Sequence, residues 1–487
     1  MADNVKVTFL GAARTVTGSK YLLETPQAKV LIDAGLFQGL KELRERNWQN
    51  LPIKASAIDA IVLTHAHLDH CGYLPRLVAQ GFSGRVFCTA GTQDLCRIVL
   101  PDSGRIQEDD AEIANREKFS KHSPALPLYT EADAIRALTH LQPVGYDRPM
   151  PVADGIEVDF INAGHLLGSS YARVRTNGQT ILFGGDLGRF GRPVLPDPTM
   201  VSEADYLLVE STYGNRVHED DDDGEKLARV IKEAAARGGR VIVPAFAIGR
   251  VEELIYWIKK LEEERRIPIM PVFLDSPMAI AALSRYTERL NELDAEMKPE
   301  ARDDKAPHGP ADRNESQDRR RAHASQERQM CAFCTARFRA VASAEESKQL
   351  TASDTSAIVI SSSGMATGGR VLHHLKKALP DPRNTVLFVG YQAVGTRGRR
   401  LVDGEGAVRI HGRDIPVNCR IELIESMSAH ADSNEVLRWL GGFSHPPKTA
   451  FIVHGEPTAM DALASRIQGL PGWTTKMPLH LETVTLS

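Results

Sequence analysis

The 487 residues suffice for two or three domains with sizeable cores, and 42% hydrophobic with 25% charged residues is ordinary for a soluble globular chain. A formal net charge of −4 excludes a global attraction to nucleic acid, so binding of that kind needs a local basic patch. No apolar run approaches the ~20 residues that span a bilayer, and six scattered cysteines form no disulfide framework, so no membrane association and a cytoplasmic setting are expected.

The chain starts with "MADNVKVTFLGA", which runs into a strand rather than a secretion signal. "VKVTFLG" (5–11), "KYLLE" (20–24) and "AKVLIDAG" (28–35) read as short strands closed by Gly or acidic residues. "IDAIVLT" (58–64) is a buried strand that ends at "HAHLDH". "QTILFGGD" (179–186) and "ADYLLVE" (204–210) are further buried strands, each ending on an acid. Sites collect where strands end and loops begin. From about 211, helices such as "EKLARVIKEAAARG" alternate with strands such as "RVIVPA" and "PIMPVFLD", which implies a helix-covered parallel sheet. The run "HEDDDDGE" (218–225) reads as a solvated face. Residues 296–330 carry no Leu, Ile, Val or aromatic residue and read as a mobile polar loop. Beside them, Cys331 and Cys334 form a lone C-x-x-C read as incidental. A strand–helix–strand pattern closes the chain through "IELIESMSAHAD", "NEVLRWLGG" and "KTAFIVHGE".

His65 and His67, two apart after a strand, can converge on one ion, while Asp69 and His70 on the next turn point at a neighbouring position. Imidazole with some carboxylate suits zinc. Four ligands do not saturate two ions, and His165, Asp186 and His454, each after a strand or in a Gly-flanked turn, are candidates for the rest.

H-x-H-x-D-H, the "LIDAG" aspartate, the isolated His165 and the "GD" of Asp186 resemble the metallo-β-lactamase superfamily. The resemblance implies an αββα sandwich with a metal pair at one edge. His65, His67 and His165 would hold one zinc ion, with Asp69, His70 and His454 on a second, Asp186 bridging, and Asp33 orienting a ligand from behind. "VESTYG" (209–214), "SMSAHAD" (426–432) and "FIVHGE" (451–456) resemble the three downstream motifs of the β-CASP nucleases. This family inserts a parallel-sheet domain into the sandwich. The implied division is a metallo-β-lactamase part at 1–208, a β-CASP insert at 209–424, and a returning part at 425–487 with RNA-specificity motifs. A histidine at the third motif, here His454, goes with RNA-acting members.

The resemblance therefore implies a two-zinc ribonuclease acting on single-stranded RNA, mainly endonucleolytic with room for 5′-exonuclease action. Two ions lower the pKa of bound water to near ~7 and so supply a nucleophile at neutral pH. His430 is the candidate general acid, held by Glu210, and Asp69 completes the catalytic set. Between Arg370 and Arg400 stand seven Lys/Arg and one acid, Asp381, forming a local basic patch. Ser362, Ser363, Gly364, Arg370, Arg250 and Arg397 are the candidate phosphate contacts. A small-molecule thioester or lactam hydrolase would leave the insert, Glu210 and His430 unused, and a non-catalytic RNA-binding subunit would lack a ligand. The reading is compatible with a homodimer and leaves the oligomeric state open.

Overall fold

The computed structural model describes residues 5–118, 122–219, 224–294, 297 and 333–487. Apart from Met297, the polar segment read at 296–330 lies outside them, as do Cys331 and residues 220–223 of the acidic run. The chain forms two compact units. One comprises Met1–Gly191, Asp197–Glu219 and Ala429–Ser487, and the other Arg192–Pro196 and Asp220–Ser428.

The first unit holds two seven-stranded sheets. In one, β1 (Val5–Phe9), β2 (Tyr21–Glu24), β3 (Lys29–Ile32), β4 (Ala60–Val62), β5 (Arg85–Thr89) and β6 (Leu141–Val144) lie in sequence order, with β22 (Thr483–Leu486) beside β1. The other runs β7 (Met150–Ala153), β8 (Ile156–Asn162), β9 (Ser170–Thr176), β10 (Gln179–Phe183), β11 (Tyr206–Glu210), β20 (Thr449–Val453) and β21 (Thr475–Lys476). The sheets pack face to face through Val5, Val7, Phe9 and Val30 on one side and Phe160, Ile181, Phe183, Leu208 and Phe451 on the other. Phe9 and Phe451 meet at 5.4 Å between ring centroids.

The second sheet is buried on both faces, which explains its continuous apolar runs. Ile181 and Phe183 enter the inter-sheet core, whereas Leu182 joins Leu207, Val209 and Ile452 under the helices Ser433–Leu440 and Pro457–Gln468. A 28-residue helix, Ala90–Glu117, follows β5 and is N-capped by Thr89, whose hydroxyl accepts from the Thr92 amide. The layers are therefore helix, sheet, sheet, helix.

The second unit carries a parallel sheet of β12 (Val241–Pro244), β13 (Val272–Leu274), β14 (Phe338–Ala340), β15 (Ile358–Ser361), β16 (Thr385–Phe388) and β19 (Arg420–Leu423), ordered β14-β13-β15-β12-β16-β19. Parallel neighbours need crossovers, here helices such as Glu225–Ala236 and Val371–Ala378. A hairpin of β17 (Ala407–Ile410) and β18 (Arg413–Pro416) stands as a separate ribbon.

The unit boundaries differ from the sequence reading by several residues. β11 pairs in parallel with β10 and β20, and the residues after it stay with that sheet: the Ser211 amide donates to the His454 carbonyl, and Tyr213 bridges Asp432. The chain thus leaves the first unit only after Glu219. Likewise "IELIESMSAHAD" is a strand only to Leu423. Asp432 instead caps the helix Ser433–Leu440, accepting from the amides of Asn434 and Glu435. Among the described residues no helix is long and apolar enough to cross a membrane.

Candidate metal centre

β3 and β4 are parallel neighbours in one sheet, and β10, β11 and β20 in the other, so their C-terminal ends reach a common edge of the first unit. Asp33 follows β3, His65 and His67 follow β4, Asp186 follows β10, Glu210 ends β11 and His454 follows β20. His67 opens the short helix Leu68–Cys71 that carries Asp69 and His70. His165 sits in the turn after β8, where the Ser169 hydroxyl accepts from the amides of His165 and Leu166. Gly185 (φ +53°) lets the Asp186 turn pass Thr64, which a Cβ would meet at 2.9 Å.

Two donor sets result. His65 Nε2, His67 Nδ1 and His165 Nε2 stand 3.2 Å from one another along both His67 pairings, and Asp186 Oδ2 lies 3.4 Å from His65 Nε2 and 3.5 Å from His165 Nε2. Asp69, His70 and His454 form the second set, with His70 Nε2 3.2 Å from His454 Nε2 and Asp69 Oδ2 3.4 Å from His454 Nε2. Asp186 Oδ1 faces this set, 3.2 Å from His70 Nε2, so the one carboxylate reaches both.

The surrounding hydrogen bonds decide which ring nitrogens are free. The Thr64 amide and hydroxyl donate to Asp33, so the Thr64 oxygen is left to accept from His65 Nδ1–H at 3.1 Å. His70 Nδ1–H donates to Asp33 Oδ2 at 2.7 Å, and His165 Nδ1–H to the Ala429 carbonyl at 3.3 Å. Thr212 donates to Glu210 and accepts from His454 Nδ1–H at 3.1 Å. Four histidines thus turn Nε2 lone pairs inward, as metal-ligating imidazoles with tied second nitrogens do. Bonds of ~2.0–2.1 Å to a tetrahedral zinc place ligand atoms roughly 3.3 Å apart, close to the spacing in the first set. Asp186 Oδ1 is buried with no hydrogen-bond donor. The donor set fits a divalent metal.

The electrostatics agree. Burial, with the neighbouring charge of His70, lowers His65 to about 3, and burial lowers His67 to about 4 and His165 well below its ordinary range. Burial opposes the charge on Asp186, but His454, His70 and His65 overcome it and hold the carboxyl well below the usual range.

His430 stands beside this centre. Its Nδ1 lies 3.0 Å from Glu210 Oε2, and its ring is 4.5 Å from that of His165. Burial would lower it, yet the Glu210 carboxylate, followed by Asp186 and Asp69, raises it to about 9. Glu210 is buried and also accepts from the Leu187 amide at 2.6 Å. Asp69 and His430 side chains remain 19% and 18% exposed against 1% for Asp186, so these two are the members a substrate reaches.

Some contributors escaped the sequence reading. Thr64 and Thr212 orient ligands, and their signal was only adjacency to His65 and Glu210. His218, read as part of a solvated run, is buried and donates through Nε2 to the His430 carbonyl at 3.0 Å.

The candidate phosphate contacts belong to the second unit. Arg370 pairs with Asp275 at 2.8 Å and donates to the Val341 carbonyl, Arg250 pairs with Glu253 at 2.7 Å, and Arg397 donates to the carbonyls of Ala366 and Arg409. Ser362 bonds Ser276 at 2.7 Å and Ser363 bonds Thr367 at 3.0 Å. A Cβ on Gly364 would meet the Phe246 backbone at 2.7 Å, so glycine is required there. All three arginines therefore have partners inside their own unit.

Three segments match family models: residues 14–82 the metallo-β-lactamase superfamily, residues 251–401 the Beta-Casp domain, and residues 414–478 the Zn-dependent metallo-hydrolase RNA specificity domain. Ribonuclease TTHA0252 of Thermus thermophilus is 34% identical over 460 residues, covering 94% of this chain and 95% of that protein. Transcription termination factor FttA of Methanocaldococcus jannaschii is 30% identical over 494 residues, covering 99% of this chain and 71% of that protein. The crystal structure of a protein of unknown function from Enterococcus faecalis V583 aligns over 99% of this chain with a TM-score of 0.51 at 13% identity, a likeness of fold alone.

Proposed function

This chain belongs to the β-CASP family of the metallo-β-lactamase superfamily, and we propose that it is a zinc-dependent ribonuclease. It hydrolyses phosphodiester bonds of single-stranded RNA, mainly within the strand, with 5′-exonuclease action as a second mode. The observation that carries this reading is the pair of donor sets sharing Asp186, with the His430–Glu210 pair beside it. A thioester or lactam hydrolase has no use for that pair, nor for an RNA specificity domain.

His65, His67, His165 and Asp186 would hold one ion, and Asp69, His70, His454 and Asp186 the other, with Asp33 fixing His70. When bound, two zinc ions supply Lewis acidity and a water acidified to near neutrality. Asp69 directs the attacking water, and His430, protonated below about 9, delivers a proton to the departing 3′ oxygen. Glu210 keeps the His430 ring oriented and charged. Ser362, Ser363, Gly364, Arg370, Arg250 and Arg397 are assigned to the RNA phosphates, consistent with recognition through the backbone rather than the bases.

The test is a gel assay on zinc-loaded protein with an internally labelled single-stranded RNA and a DNA of matching sequence. Chelator-sensitive fragments from RNA alone are expected, with product lengths reporting endo or exo action. Uncut RNA with both metal sites filled would refute the reading.

A further inference from the structure

The hairpin of β17 and β18 turns through His411 (φ +47°) and Gly412 (φ +76°), a two-residue loop with both central residues in the left-handed region. Asn or Asp is the usual first residue there, so a histidine presents an imidazole where the turn does not need one. The His411 ring lies 4.8 Å from that of His373, which is exposed on the helix Val371–Ala378. Lys376 and Arg397 are close enough to both or one of these rings to act on their charge: His411 feels His373, Lys376 and Arg397, and His373 feels His374 and Lys376. Arg397 is held by two carbonyls, those of Ala366 in the Gly-rich turn and Arg409 on β17. Arg413 is exposed on β18.

The compensating acids are few. Asp414 lies opposite Arg409 in the hairpin register, Arg399 and Arg400 are paired with Asp403 and Glu405, and Asp275 acts on His373 from below. Among the described residues, Lys376, Arg413, His373 and His411 have no carboxylate partner. Mutually repelling groups fixed on one rigid surface store energy that an anion lying among them releases.

We propose that His373, Lys376, Arg397, His411 and Arg413 form a further RNA-binding surface on the β-CASP unit, which takes the phosphate backbone of a single strand. This rests on the ribonuclease reading for the identity of the polyanion, while the surface itself rests on the clustering of cationic groups. It extends the strand's footprint beyond the Gly-rich turn, because Arg397 joins that turn to the hairpin.

The test is fluorescence anisotropy with a labelled oligouridylate, titrated at several salt concentrations. It uses the zinc-loaded full chain with His430→Ala to prevent cutting, compared with the same protein also carrying Lys376→Gln, His411→Asn and Arg413→Gln. Asn suits the turn, so the hairpin is kept. Each lost phosphate contact on a single strand removes ~0.7 from the slope of log K against log salt, so the three changes should flatten it by roughly 2 and weaken binding. His411→Asn alone, the mildest variant, should weaken binding in the same direction. Unchanged affinity and slope in both variants, with RNA still cut by the unsubstituted protein, would overturn the surface and leave the ribonuclease intact. No RNA binding by the parent and no cutting by the unsubstituted protein would overturn the ribonuclease reading and this surface with it.

Discussion

Replacing Lys20 by methionine should change how the stability of the first unit depends on pH. Lys20 is 1% exposed, its Nζ donates to the Gly35 carbonyl at 2.5 Å, and it lies over the rings of Phe37 at 4.4 Å and Tyr73 at 4.9 Å. Burial brings its pKa from 10.5 down to about 7. At 1.36 kcal/mol per pH unit, a depression of that size is worth about 5 kcal/mol. The two rings return about 1–2 kcal/mol to the charged form, which leaves roughly 3 kcal/mol. Between about pH 7 and 10.5 the unfolded chain holds a proton that the folded chain has released, so stability rises with pH across that window. Below about pH 7 both states hold it and the whole penalty applies.

Methionine has similar length and does not titrate, but it leaves the Gly35 carbonyl without its donor, at a cost of about 1–3 kcal/mol. The variant should therefore match or exceed the parent at pH 6 and fall below it at pH 10. The difference between them should change by roughly 3 kcal/mol over that range. Guanidinium unfolding followed by tryptophan fluorescence reads it, because Trp48, Trp439 and Trp473 lie in the first unit and Trp257 in the second. Comparing variant with parent at each pH cancels the titrations they share. A difference that stays constant from pH 6 to 10 would refute the burial argument.

Glu210→Gln removes the carboxylate that overcomes burial at His430, so the alkaline limb of the cleavage rate, expected near pH 9, should move down by more than one pH unit; a limb that stays near 9 in the pH–rate profile would refute the pairing. His430→Ala should keep the zinc content, measured by atomic absorption, and lower kcat by about 10²–10⁴-fold. Asp33→Ala frees the His70 ring and should weaken metal affinity about 10–100-fold in a chelator competition. Asp186→Asn, which weakens the carboxylate shared by both donor sets, should leave purified protein short of zinc.

What was legible in the chain follows from how local each signal is. H-x-H-x-D-H spans six residues after a buried strand, so both its chemistry and its place at a strand end could be read directly. The buried strands β10, β11 and β20 were readable because both their faces are covered and their apolar runs are unbroken. The helix Ala90–Glu117 had no such signal: it mixes charged residues throughout and has Pro101 within it, so its helical period is weak. The strand expected to continue to Asp432 ends at Leu423, because the Asp432 side chain serves the next helix instead.

The sequence by itself determined which chemistry was available: imidazoles and carboxylates placed after strands, an acid–histidine pair, and an insert with its own parallel sheet. Tertiary structure decided which atoms face which. Parallel pairing of β10, β11 and β20 brings Asp186, Glu210 and His454 to one edge although 268 positions separate the first from the last. Thr64, Thr212, Asp33 and the Ala429 carbonyl then choose the inward nitrogen of each ring. Strand composition is written residue by residue, but a hydrogen-bond partner on a distant strand end exists only once the sheets have closed on their shared core.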